Sequence, residues 1–232
     1  MLAQRGEAEA VLAGRTSEAV GLREMNKQDK LQRIKKAALE LFVRNGFDET
    51  TTREIAARAD VAMGTVFIYA ETKRDLLFLI VNEDLEDCIR RAAASVDEKA
   101  PLLENLLAAL RIHYEYFSRN PVISRAALRE MYFYESGKQS QRFMATRNNL
   151  RALLSSLVTR AVNDGEIEAV DTPDIIAQAI FSIYQVDLRQ WLSGPKPRIS
   201  VGMDLLRRKI ELVIRGLDPS RSRRPTVRRS VR

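Results

Sequence analysis

Residues 51–73 read Thr-Thr-Arg-Glu-Ile-Ala-Ala-Arg-Ala-Asp-Val-Ala-Met-Gly-Thr-Val-Phe-Ile-Tyr-Ala-Glu-Thr-Lys, and no other stretch restricts the fold so tightly. Thr51 and Glu54 have the spacing of a capping box, in which the hydroxyl closes the Glu54 N–H and the carboxylate reaches back to the Thr51 N–H, so a helix should start here. Ile55, Ala56 and Ala59 give that helix one small apolar face. Asp60, Val61 and Ala62 break it, with Val61 as the apolar plug between two packed helices. A second short helix, Met63 to Tyr69, would bury Val66 and turn Met63, Thr65, Ile68 and Tyr69 outward. A helix presented in this way fits the major groove of DNA, its first residues at base edges and its flanks at phosphate. Thr72 and Asp75 are placed to cap the next helix, with Lys73 beside N–H groups that suit an anion. Ala-rich helix pairs also occur as plain core, so the flanking sequence bears on the choice.

From Leu31 to Val81 the chain resembles the tetracycline-repressor (TetR) family of bacterial regulators. The resemblance rests on Ile34, Ala37, Ala38, Leu41, Phe42, Gly46 and Phe47; on Thr51, Thr52, Arg53, Ile55 and Ala56; on Val61, Gly64, Thr65, Val66, Phe67 and Tyr69; and on Lys73, Leu76 and Leu77. It implies an all-α homodimer, with an N-terminal three-helix helix-turn-helix DNA-binding domain and a C-terminal helical bundle for ligand binding and dimerisation. It also implies that Thr52, Arg53, Met63, Thr65, Phe67, Tyr69 and Lys73 meet DNA, the Thr, aromatic and Lys positions chiefly at phosphates; Thr51, Gly64 and Ile68 complete the expected DNA-binding set. Three positions depart from the family: Ala62 where a capping Ser is frequent, Ile68 where an aromatic is, and Ala70 where Phe is. The first should weaken the cap by about 1 kcal/mol, and the second alters a base contact, so the operator is this chain's own.

The rest of the chain is read around that unit. Residues 1–25 combine Arg5, Arg15 and Arg23 with Glu7, Glu9, Glu18 and Glu24, show little periodicity, and are expected to be a disordered extension. They lack the apolar run of a secretory signal. Asn26 can cap the first helix of a DNA-binding domain over residues 26–73, ending at Gly46 in a left-handed turn. A ligand-binding and dimerisation domain is expected over residues 74–217, its long first helix linking ligand to DNA. Pro101, Asn120-Pro121 and Thr172-Pro173 mark helix starts, and Gly137, Gly165, Gly194 and Gly216 mark stops. They delimit helices at about 101–118, 121–135, 139–163, 173–192 and 200–215.

Aromatic and Met residues concentrate between His113 and Met144. His113, Tyr114, Phe117, Met131, Tyr132, Tyr134, Phe143 and Met144 are candidates for an apolar ligand pocket, although the same spacing suits ordinary core. The 173–192 helix has a narrow polar stripe and an unusually wide apolar arc. With the last helix it is assigned to a subunit interface through Ile176, Ile180, Ile183, Tyr184, Trp191, Leu206, Ile210 and Val213; burial within one subunit is the alternative. Two-fold symmetry would then require a roughly palindromic operator.

Charge is misleading here. The chain carries net +7, but Arg221, Arg223, Arg224, Arg228, Arg229 and Arg232 lie in an Arg-rich tail, 218–232, expected to be disordered. A single Cys88 and a single His113 exclude an intrachain disulfide and a metal cluster built on His or Cys. No glycine-rich phosphate cradle or nucleophile elbow appears, so neither an enzyme nor a bound cofactor is expected. The reading is a cytoplasmic, ligand-responsive repressor, nucleoid-associated when bound, whose partners are operator DNA, a second copy and a small, largely apolar effector, and not a membrane. A DNA-binding protein of the same fold without a small-molecule switch is the alternative, which a second domain lacking a cavity would favour.

Overall fold

The computed structural model describes residues 2–168 and 171–216, without the side chains of residues 2–20 and 22. Among them the elements are α1 (Leu2–Asn45), α2 (Thr52–Arg58), α3 (Met63–Tyr69), α4 (Lys73–Ala94), α5 (Leu102–Arg119), α6 (Pro121–Glu130), a 3-10 turn (Met131–Phe133), α7 (Ser140–Asn163), α8 (Pro173–Ser193) and α9 (Ile199–Gly216). The fold is all-α, as the sequence predicts. The chain divides into two compact units within α4, residues 1–80 and 81–232, rather than at residue 73. The Arg-rich tail expected over 218–232 lies outside the described residues.

In the first unit, Ile34, Ala37, Ala38, Leu41 and Phe42 of α1 are buried at helical spacing and form the small core with Ile55, Ala56, Ala59 and Val66. The start of α1 corrects two expectations. Asn26 caps nothing, because the helix begins at Leu2 and runs through it, and residues 2–25 are helical rather than coil. Ala, Leu, Glu and Arg dominate this stretch and it contains no proline, so propensity favours continuing a helix already anchored downstream. Its stop is as predicted, with Gly46 at φ +88° and its N–H on the Phe42 carbonyl at 3.0 Å.

The second unit is built around α5, whose Leu106, Leu110, Tyr114 and Phe117 are buried together with Leu102, Ala109 and Ile112, leaving little exposed face. Helices α7, α8 and α9 pack about it, with α6 against α8. The first turn of α5 is capped from a distance: the Glu166 carboxylate accepts the Leu102 N–H at 2.8 and 3.0 Å. Helix α9 approaches α5 through Gly202, where an added Cβ would stand 2.6 Å from Tyr114 Cε1. Helix α6 stops at Glu130, short of the predicted residue 135, because the chain tightens into the 3-10 turn that ends at Phe133.

Candidate nucleic-acid interface and ligand cavity

The capping box forms as read. Glu54 accepts the Thr51 N–H at 2.7 Å, and the Glu54 N–H reaches the Thr51 hydroxyl at 3.2 Å. The Thr51 N–H and then the Thr51 hydroxyl, which donates to the same carboxylate at 2.8 Å, hold the Glu54 carboxyl below its ordinary range. The turn into α3 uses Asp60 at φ +52°, an aspartate filling a left-handed position that glycine often takes. Arg33 of α1 braces that turn, donating to the Asp60 carbonyl at 3.4 Å, and Arg58 of α2 pairs with Glu40 of α1 at 2.7 Å. A second capping box opens α4, with the Asp75 N–H on the Thr72 hydroxyl at 3.0 Å and the Thr72 N–H on the Asp75 carboxylate at 3.2 Å. Ala62 makes no side-chain cap, so packing alone sets the start of α3.

Helix α3 buries only Val66 and exposes Ile68 by 61% and Phe67 by 44%. Gly64, Thr51 and Arg53 are exposed as well, and Thr52, Met63, Thr65, Tyr69 and Lys73 are half-buried. Tyr69 and Lys73 are tied to residues distant in sequence. The Tyr69 hydroxyl donates to the Lys27 carbonyl of α1 at 3.0 Å. The Lys73 ammonium donates to the Asp48 carbonyl at 2.7 Å and lies 4.8 Å from the centre of the Phe47 ring.

The second unit contains a cavity of about 480 Å³, counting its open side. Leu85 and Ile89 of α4, His113 and Phe117 of α5, and Leu128 and Met131 form part of the wall. Phe143, Thr146, Arg147 and Leu150 of α7 and Phe181, Tyr184, Gln185, Leu188 and Arg189 of α8 complete it. The wall is chiefly apolar with a few polar groups, as small-molecule sites are. Arg189 is fixed by the Leu128 carbonyl at 3.3 Å and the Gln185 carbonyl at 3.0 Å, under the Tyr132 ring at 4.6 Å. A guanidinium has five N–H donors, so these bonds leave it capacity for an anion. Arg147 lies 5.7 Å from the Phe181 ring, and its buried Nε has no hydrogen-bond partner among the described residues. An adjoining cleft shares Arg147, Gln185 and Arg189 and adds Arg151, Gln178 and Ser182.

Residues 34–80 match the family described as bacterial regulatory proteins, tetR family, and residues 99–193 match the tetracyclin repressor-like C-terminal domain. The chain belongs to the TetR family. It is therefore a DNA-binding transcriptional regulator, with α2 and α3 as its helix-turn-helix. Its relatives include the fatty acid metabolism regulator protein of Bacillus subtilis, 23% identical over 194 residues that cover 82% of this chain and 97% of the relative. A structure of Bacillus subtilis FadR in complex with stearoyl-CoA has a TM-score of 0.63 at 22% identity, covering 80% of this chain and 98% of that one. Thermus thermophilus FadR, a transcriptional repressor solved with lauroyl-CoA, has a TM-score of 0.58 at 23% identity, covering 81% and 94%.

For this TetR-family chain, the sequence-derived pocket set divides. His113, Phe117, Met131 and Phe143 line the cavity. Tyr132 is 58% exposed and stands over Arg189 in the adjoining cleft. Tyr114 turns away to pack on Trp191 at 4.8 Å, Tyr134 packs behind Phe143 at 6.1 Å, and Met144 is half-buried outside the wall. Sequence reasoning missed the contribution of α8: it places Tyr184 on the arc assigned to a partner subunit and Arg189 on the polar stripe, and gives Phe181 no role, whereas all three line the cavity. Five of the eight residues expected at the interface lie inside the subunit. Ile176, Ile180, Tyr184, Leu206 and Ile210 are buried in the subunit's own core, while Ile183, Trp191 and Val213 are half-buried. The exposed stripes are instead Ile175, Ala179, Ser182 and Val186 on α8 and Val201, Leu205, Arg208 and Leu212 on α9, each at i, i+4, i+7 and i+11. Among the described residues no helix is long and apolar enough to cross a membrane, and no group of three or more His, Cys, Asp and Glu side chains could hold a metal ion.

Proposed function

We propose that the protein is a cytoplasmic repressor that binds a palindromic operator as a homodimer and leaves it when an amphiphile enters the cavity. The effector has an apolar chain and an anionic head, of which acyl-coenzyme A thioesters are the class we favour. The observation that carries this reading is a chiefly apolar cavity with two arginines, Arg147 and Arg189, on its wall. The wall takes the chain, and the unspent guanidinium donors take phosphate or carboxylate oxygens. Relatives solved with stearoyl-CoA and lauroyl-CoA support the same class. The alternative of a fold without a small-molecule switch loses its main argument once a cavity is present.

Release follows from where the ligand presses. Leu85 and Ile89 line the cavity from α4, and α4 begins at Lys73 beside the end of α3. Displacing one part of that helix moves the other, and the effector shifts the equilibrium by its differential affinity for the two arrangements. On the DNA side, Thr51, Thr52, Thr65, Tyr69 and Lys73 hold phosphates. The exposed Phe67 joins them at the backbone, while Arg53, Met63, Gly64 and Ile68 face base edges, where the exposed Ile68 suits a thymine methyl. The exposed stripes on α8 and α9 meet their two-fold copies, which sets the half-sites ~34 Å or a multiple apart.

Selection of bound DNA from a random pool, followed by anisotropy titration on the recovered site, tests this directly. A palindrome bound by a dimer and released by micromolar acyl-coenzyme A is expected. A recovered site whose affinity ignores acyl-coenzyme A would leave the repressor and remove the effector class.

A further inference from the structure

We infer that the effector carries a hydroxyl or carbonyl oxygen within its apolar portion, and that His113 receives it. This deepens the amphiphile reading above and rests on it. His113 lines the cavity from α5, is 3% exposed, and its Nδ1 has no hydrogen-bond partner among the described residues. A polar atom buried without a partner is costly and uncommon, and at a ligand cavity it is a recognition group awaiting its complement.

The Ala109 carbonyl one turn earlier approaches the ring without meeting Nδ1 in hydrogen-bond geometry, and the other polar neighbours do not supply the complement either. The Thr146 hydroxyl gives its one proton to the Arg142 carbonyl of its own helix at 3.0 Å, so it has none to donate to the imidazole. Tyr184 meets the imidazole in a T-shaped ring contact, centres 5.7 Å apart. Arg147 and Arg189 are cations and suit the anionic head. Burial lowers the His113 pKa to about 4, opposed by the Ala109 carbonyl one turn earlier, so the ring is uncharged at neutral pH. A neutral imidazole offers one donor and one acceptor, which match an uncharged oxygen and not a second carboxylate. A plain saturated chain would leave the ring unsatisfied in the bound state, whereas an oxygenated chain would satisfy it and gain affinity over its parent.

The test uses the full, untagged chain and four probes: decanoyl-CoA and its 3-hydroxy, 3-oxo and 10-hydroxy counterparts. Calorimetric titration should find at least one oxygenated probe bound about tenfold or more tightly than decanoyl-CoA. That ratio should fall to about one in His113→Phe and survive in part in His113→Gln. Because the chain has one histidine, its imidazole nitrogens give an unambiguous NMR signal. Those shifts should move with the preferred oxygenated probe beyond the change that decanoyl-CoA produces. Equal affinity for all four probes, or a preference that persists in His113→Phe, would overturn the inference while leaving the amphiphile reading intact. No binding of any probe by the wild type would overturn both. If His113→Phe does not fold, ring nitrogens that respond alike to all four probes overturn the inference on the wild type alone.

Discussion

The Tyr69 hydroxyl donates to the Lys27 carbonyl at 3.0 Å, so the last residue of the recognition helix is tied to the first helix across 42 positions. The bond orients a ring that the proposed complex sets against phosphate. Tyr69→Phe should therefore weaken operator binding about three- to tenfold, the value of one neutral hydrogen bond. It removes no charge, so the slope of log affinity against log salt should stay constant. Anisotropy titrations over a salt series check both quantities.

Lys73 behaves differently because its ammonium carries charge as well as position. One proton goes to the Asp48 carbonyl at 2.7 Å, which leaves two for a phosphate at the start of α4. Lys73→Ala should lower affinity about equally for every DNA sequence and reduce the salt slope by about one per subunit. A change of sequence preference in the same titrations would move Lys73 from phosphate to base contact.

Gly202 allows α9 to lie against α5. A Cβ at that position would stand 2.6 Å from Tyr114 Cε1 and 2.8 Å from Trp191 Cδ1. The indole cannot move freely, since its Nε1 donates to the Arg198 carbonyl at 2.9 Å. Gly202→Ala should destabilise the second unit by about 1–3 kcal/mol. Thermal unfolding followed by circular dichroism should show the lowered midpoint.

Local signals made the helix-turn-helix legible: the Thr51–Glu54 box, the Thr72–Asp75 box and Gly46 act within a few residues of themselves. Four of the eight pocket residues were legible for a similar reason, as a cluster of aromatic and Met side chains. The α8 wall was not. A helix with so wide an apolar arc gives no indication which flank meets its own core, so the sequence reading assigns Tyr184 and Ile180 outward and passes over Val186. Arg147 looks like any other helical arginine until Phe181 is brought beneath it. The Glu166 cap on α5 spans 64 residues and has no sequence signature.

The proposed interface is testable apart from the DNA. Leu205 and Leu212 are 45% and 69% exposed on one stripe of α9, whereas Leu206 is fully buried. If the stripe is the subunit contact, Leu205→Glu combined with Leu212→Glu should yield a folded monomer by sedimentation velocity. Leu206→Ala should instead lower stability by about 2–5 kcal/mol through a core cavity. A double variant that stays dimeric would place the contact elsewhere.

His113 should also make stability depend on pH. Its folded pKa is lowered to about 4 by burial, below the ordinary histidine value of 6.5. Between those two values the unfolded chain binds a proton that the folded chain does not, so stability falls as pH drops below about 6.5 and the loss is complete near pH 4. At pH 5 the contribution is on the order of 2 kcal/mol. Since no other histidine is present, the effect belongs to one ring. Urea unfolding at pH 7 and pH 5 and fixed protein concentration should show the wild type losing about that much more than His113→Gln. Parallel losses in the two proteins would mean that the folded ring is solvated and titrates normally.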